Sequence, residues 1–122
     1  MKICMVGAGY VGLVSAACFS EFGWTVRCID KDPDRVALLK GGEMPIYEPG
    51  LENLVRRNCE AGRLSFSTEL AEAVSEAELI FLAVGTPMRR GDGHADLSFV
   101  FSAIEEIAPH LEGFTVITTK ST

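Results

Sequence analysis

Ile3-Cys4-Met5-Val6-Gly7-Ala8-Gly9-Tyr10-Val11-Gly12 is the stretch whose reading decides the fold. Its first four residues are apolar and uncharged, as expected of a strand buried on both faces. After the glycines, Leu13-Val14-Ser15-Ala16-Ala17-Cys18-Phe19 is rich in small and apolar residues and holds no breaker, so it reads as a closely packed helix. Each glycine between them has a separate role. Gly7 permits the tight turn, Gly9 lets a pyrophosphate approach the backbone, and Gly12 lets the helix pack against its strand. Phosphates placed there face the free N–H groups and the positive dipole end of the helix N-terminus.

Glycine turns are common, so the context carries the argument. The next apolar run, Thr25-Val26-Arg27-Cys28-Ile29, ends at Asp30, eighteen residues past Gly12. A carboxylate about 20 residues on is what accepts hydrogen bonds from an adenosine ribose. The alternative is a structural glycine turn followed by an acid that merely opens a loop. Strand, turn, helix, strand and acid in this order favour a dinucleotide. Asp30 also favours NAD over NADP, because a 2′-phosphate would meet its charge. Lys31 and Arg35 complicate that preference, since a nearby basic side chain can accommodate the phosphate.

The chain has 122 residues, the length of one domain with a real core. Hydrophobic residues make up 48%, which argues against disorder. Eleven Lys and Arg against seventeen Asp and Glu give a net charge of −6, which speaks against nucleic-acid binding through a basic surface. No apolar stretch is long enough to span a membrane, and Met1-Lys2 leads straight into a strand, so no membrane or export role is expected. Cys4, Cys18, Cys28 and Cys59 form no Cys-x-x-Cys pair and are expected to be reduced, mostly buried small hydrophobes of a cytoplasmic protein.

Asp32-Pro33 reads as an N-cap and first helical residue, opening a helix that stops at Gly41-Gly42. Arg35 lies in its first turn, just beyond Asp30, either as a solvated charge or against the adenosine end of the cofactor. Two prolines and a glycine make Glu43 to Gly50 an extended, rigid connection. Leu51, Leu54, Val55 and Asn58 then predict a helix ending near Gly62, a helical insertion before the weak strand Leu64-Ser65-Phe66. Thr68 is expected to cap a short helix through Leu70, Ala73 and Val74.

Leu79-Ile80-Phe81-Leu82-Ala83-Val84 is the clearest buried strand, running into Gly85-Thr86-Pro87. Met88 to Ala95 reads as a loop. Asp96 is expected to cap a helix from Leu97 to about Ala108 with Val100, Ile104 and Ile107 inward, and Phe101 or Leu111 as further candidates. A last strand, Phe114 to Thr119, leads to Lys120-Ser121-Thr122. Asp92, His94 and Asp96 are metal-ligand types, but a glycine-flanked turn followed by an N-cap explains them without a metal. His110 near a helix end is explained by the dipole.

Alternating strands and helices predict an α/β doubly wound parallel sheet of Rossmann type, strand order 3-2-1-4-5, with a helical insertion between the second and third strands. Strands one and four then flank the switch point. Their carboxyl ends bring the glycine loop and Gly85-Thr86-Pro87 to one crevice.

Gly-Tyr-Val-Gly at 9–12, Ile-Tyr-Glu-Pro-Gly-Leu at 46–51, Gly-Thr-Pro at 85–87, Gly-His-Ala-Asp-Leu at 93–97 and Lys-Ser-Thr at 120–122 together resemble the NAD-binding domain of the UDP-glucose/GDP-mannose dehydrogenase family. The resemblance covers essentially all of residues 1–122. Residues 17–23 and the Tyr47 motif look more like the UDP-glucose branch than the GDP-mannose branch, with the GDP-mannose and UDP-N-acetylmannosamine branches as the alternatives. Such enzymes oxidise a sugar C6 alcohol to a carboxylate in two NAD-dependent steps, through a thiohemiacetal and a thioester on a cysteine.

The resemblance implies NAD contacts at Val11, Asp30, Arg35, Thr86 and Thr122, with the Thr122 hydroxyl also placing the catalytic water. With the motifs themselves, the candidate cofactor residues are Gly7, Gly9, Tyr10, Val11, Gly12, Asp30, Arg35, Gly85, Thr86, Pro87, Ser121 and Thr122. The family's nucleophile, its sugar-nucleotide domain and the long helix of its dimer contact lie downstream of the matching region. The expectation is therefore a cofactor domain of a larger, homo-oligomeric enzyme acting on a nucleotide sugar. An NAD-sensing regulatory domain is the alternative of a different class; it would need neither the 43–62 insertion nor the Gly-Thr-Pro and Lys-Ser-Thr segments.

Overall fold

The computed structural model describes residues 1–84 and 97–120. In chain order the elements are β1 (Lys2–Val6), α1 (Tyr10–Glu21), β2 (Thr25–Ile29), α2 (Pro33–Lys40), α3 (Leu51–Glu60), β3 (Leu64–Ser67), α4 (Leu70–Glu76), β4 (Leu79–Leu82), α5 (Ser98–Ile107), a 3-10 turn (Ala108–His110) and β5 (Val116–Thr119). The strands form one parallel sheet ordered β3-β2-β1-β4-β5, as expected. Parallel neighbours need crossovers, and the helices supply them.

Strand alternation sends successive side chains to opposite faces, and the core divides accordingly. Ile3 and Met5 of β1 join Val26, Cys28, Leu64 and Phe66 on the face covered by α1, α2 and α3. Cys4 joins Ile29, Ile80 and Leu82 on the face covered by α4 and α5. β1 is therefore buried on both sides, which is why Ile3 to Val6 read as a continuous apolar run, whereas in β2 the run is broken by Arg27, which is paired with Glu72 and Glu76 of α4.

The 51–60 insertion is tied down by a polar knot as well as by its apolar stripe. Asn58 is fully buried. Its Nδ2 donates to the Leu54 carbonyl at 2.9 Å and to Glu21 Oε2 at 3.2 Å, and its Oδ1 accepts from Arg63 Nε at 3.0 Å. Arg63 Nε also donates to the Ser20 carbonyl at 3.0 Å. A buried amide with its groups satisfied in this way fixes α3 against the C-terminus of α1.

Three local expectations are corrected. Thr68 does not cap α4: Glu69 holds the N-cap position without a side-chain bond, and Ser67 Oγ accepts from the Glu69 N–H at 2.9 Å. In α5 the fully inward residues are Ala103 and Ile107, whereas Phe101 is 59% and Ile104 38% exposed. Ser98, Ser102, Glu105 and Glu106 mark its polar side, but the apolar side is wider than the sheet covers, so Phe101 and Ile104 are left on its flank while Val100 and Leu111 pack against the core. Cys18 is exposed while Cys4 and Cys28 are buried and Cys59 is half-buried. Asp96, expected to cap α5, lies outside the described residues, as do Asp92 and His94.

Candidate functional site

The glycine loop joins the carboxyl end of β1 to α1. Gly7 has φ +111°, a region L side chains rarely adopt, and a Cβ there would stand 2.7 Å from the Ala83 carbonyl oxygen at the end of β4. Its N–H donates to the Ile29 carbonyl at 2.7 Å, so the turn is anchored to β2 as well. Gly12 lies inside α1, and a Cβ on it would come within 1.8 Å of the Gly7 carbonyl oxygen and 3.3 Å of Ala83 Cβ. The two glycines let loop, helix and β4 meet at backbone distance. Gly9 differs: it has φ −76° and nothing within 4 Å of its would-be Cβ.

The first intrahelical bond of α1 runs from the Leu13 N–H to the Gly9 carbonyl at 2.8 Å, so the N–H groups before it have no acceptor within the helix. Open space over Gly9, free donors and the positive helix end together make a cradle for a pyrophosphate. Tyr10 and Val11 form the first turn. The Tyr10 hydroxyl donates to Glu48 Oε2 at 2.9 Å, fastening the 43–50 connection to the helix start. Accepting from that phenol, and carrying charge beside it, Glu48 pushes the Tyr10 pKa up and keeps the group a donor.

Asp30 follows β2 and is largely sheltered, its side chain 13% exposed. Its Oδ2 accepts from the Ala8 N–H at 2.8 Å and its Oδ1 from the Asp32 N–H at 2.9 Å. The carboxylate thus braces the glycine loop and still has lone pairs for ribose hydroxyls. Arg35 Nη1 stands 3.5 Å from Asp30 Oδ2. Its place in the first turn of α2 is set by Asp32, whose Oδ1 accepts from the N–H groups of Asp34 and Arg35 at 3.0 and 3.3 Å.

Gly7, Gly9, Asp30 and Arg35 line one cleft of about 520 Å³, large enough for part of a dinucleotide. Sequence reading missed its other wall. Phe99, Ser102 and Glu106 enter it from α5, and Thr68 from the end of β3. Their only prior signal was topological, since α5 follows the strand on the far side of the switch point. Gly85, Thr86, Pro87, Ser121 and Thr122 lie outside the described residues.

The thiols offer no nucleophile in this cleft. Burial pushes Cys4 up to about 12 and raises Cys28 further still, with Asp30 adding to the effect on Cys28. Cys59 is also raised, by burial and then by Glu60. Among the described residues no group of three or more His, Cys, Asp or Glu is placed to hold a metal ion, and no helix is long and apolar enough to cross a membrane.

Comparison with known proteins matches this geometry. The model of the UDP-glucose/GDP-mannose dehydrogenase family, NAD binding domain, aligns with residues 1–122. A UDP-glucose 6-dehydrogenase of Rhizobium meliloti is 58% identical over the whole chain, which spans 28% of that relative's length. One from Pseudomonas aeruginosa is 52% identical, with 27% of its length spanned. Among solved structures, a ternary complex of GDP-mannose dehydrogenase from Pseudomonas aeruginosa superposes with TM-score 0.93 at 34% identity, over all of this chain and 28% of that one. The chain therefore spans little more than a quarter of the relatives it matches. With the sheet order, the glycine cradle and the Asp30 cleft in place, it belongs to the UDP-glucose/GDP-mannose dehydrogenase family, as an NAD-binding domain.

Proposed function

We propose that this chain serves as the NAD-binding domain of a UDP-glucose 6-dehydrogenase, which oxidises the C6 alcohol of UDP-glucose to a carboxylate in two NAD-dependent steps. The observation that supports the sugar branch is the identity of the whole chain to UDP-glucose 6-dehydrogenases of two organisms, 58% and 52%. NAD, when bound, accepts hydride. The chain's own residues bind and orient. Donors at the start of α1 hold the pyrophosphate over Gly9, Asp30 accepts from the adenosine ribose, and Arg35 flanks the adenosine end. Gly85, Thr86, Pro87, Ser121 and Thr122 complete the cofactor contacts, and Thr122 places the catalytic water. The nucleotide sugar is held by parts of the enzyme outside these residues, in a cytoplasmic homo-oligomer.

Two measurements test this. Calorimetric titration with NAD is expected to show saturable one-site binding. The chain is also exchanged for the matching domain of the Rhizobium meliloti UDP-glucose 6-dehydrogenase and, separately, of the Pseudomonas aeruginosa GDP-mannose dehydrogenase. The first hybrid is expected to form NADH from UDP-glucose, and the second to turn over GDP-mannose less well relative to its parent. Absence of NAD binding overturns the cofactor assignment; better function in the GDP-mannose framework overturns the branch.

A further inference from the structure

Two cations stand beside Asp30, and either could in principle neutralise a 2′-phosphate and admit NADP. Both are engaged by carboxylates. Arg35 faces Asp30 itself at 3.5 Å, so its partner is the group that repels the phosphate. Lys31 reaches across the cleft from the end of β2 to α5, where its Nζ stands 2.6 Å from Glu106 Oε1. Of the two adjacent acids on α5, Glu105 and Glu106, only Glu106 lines the cleft.

The Lys31 and Glu106 side chains are 77% and 43% exposed, and pairs so exposed contribute little to stability. The pair's consequence is therefore positional: it decides where an ammonium sits at the mouth of the adenosine cleft. We propose that Glu106 is a specificity-determining residue for the cofactor, holding Lys31 away from the ribose 2′ position so that Asp30's charge there goes uncompensated. This rests on the cleft taking the adenosine end of the dinucleotide. Lys31, by contrast with Arg35, is paired with Glu106 rather than with Asp30, so its release leaves the Asp30 anchor of the glycine loop intact.

The test is calorimetric titration of NAD and NADP into the wild type, Glu106→Gln, and Glu106→Gln combined with Lys31→Gln. Glu106→Gln is expected to shift the NADP-to-NAD affinity ratio about tenfold toward NADP, the size of one charge-assisted hydrogen bond gained. Adding Lys31→Gln is expected to cancel that shift. Unfolding midpoints monitored by circular dichroism are expected to stay together across the three proteins. An unmoved ratio in Glu106→Gln overturns the proposal. So does a shift that survives in the double variant, which would mean that Glu106 acts through its own field rather than through Lys31. If the wild type binds no NAD, the cleft assignment fails first and this role with it; NAD binding with an unmoved ratio overturns the role of Glu106 alone.

Discussion

Adding one methyl group at Gly12 or at Gly9 is expected to break two different properties of the same loop. At Gly12 the new Cβ would stand 1.8 Å from the Gly7 carbonyl oxygen, and clearing even 3.0 Å means moving backbone by more than an ångström. The loop has little room to retreat toward β4, because the space between Gly7 and the Ala83 carbonyl is too small even for a Cβ. Helix propensity favours alanine over glycine by only about 1 kcal/mol, whereas overpacking costs about 1–3 kcal/mol and more where backbone meets backbone. The clash wins. Gly12→Ala is expected to lose about 2–3 kcal/mol, or roughly 10 °C in Tm for a domain of this size.

At Gly9 the methyl meets nothing within 4 Å and the backbone is already in a region alanine adopts. Only the weaker N-cap preference of alanine counts against it, about 0.5–1 kcal/mol. The methyl does enter the space through which a pyrophosphate approaches, so NAD affinity is expected to fall at least about tenfold. Thermal melts by circular dichroism and NAD calorimetry on the same samples separate the two effects. A Gly12→Ala protein that melts with the wild type, or a Gly9→Ala protein that binds NAD undiminished, refutes this account of the loop.

The wild-type domain is expected to bind NAD about ten- to a hundredfold more tightly than NADP, since Asp30 accepts from ribose hydroxyls and repels a phosphate; parallel titrations reaching equal affinity would overturn this. Native protein treated with a thiol reagent at neutral pH is expected to label Cys18 first and Cys59 slowly, with Cys4 and Cys28 silent until denaturant is added, because burial holds the strand thiols protonated. Glu21 accepts from Arg57 and Asn58, which lowers its pKa below 4.5 in the folded protein. Its contribution is complete above 4.5 and is lost as pH falls through the lower folded value, so Glu21→Gln is expected to flatten the acid limb of a Tm-against-pH curve. Residues 1–122 alone, given saturating NAD and UDP-glucose, are expected to bind NAD and form no NADH. Orientation of the sugar against the nicotinamide accounts for about 7–11 kcal/mol of barrier lowering and needs groups outside these residues. NADH formation that survives replacement of all four cysteines would refute that expectation.

The linear order of residues determined the sheet and the cradle, because both are written in local terms. Doubly buried strands leave unbroken apolar runs, crossovers leave helical stretches between them, and a dinucleotide turn demands glycines and an acid at set spacing. Strand order 3-2-1-4-5, the Asp32 cap and the Asp30 position were all legible that way. The second wall of the cleft was not. Lys31 and Glu106 are 75 residues apart and meet only because β2 and α5 flank the same switch point. Nor could sequence choose which part of α5's apolar side turns inward: Ser98, Ser102, Glu105 and Glu106 mark the outside, but the apolar arc from Phe99 through Ile107 to Phe101 is wider than the sheet covers. Packing made that choice by placing the small Ala103, with Ile107, against the sheet. Cys18 shows the same limit: a helix built of small apolar residues turns one of them to solvent, and only its neighbours decide which.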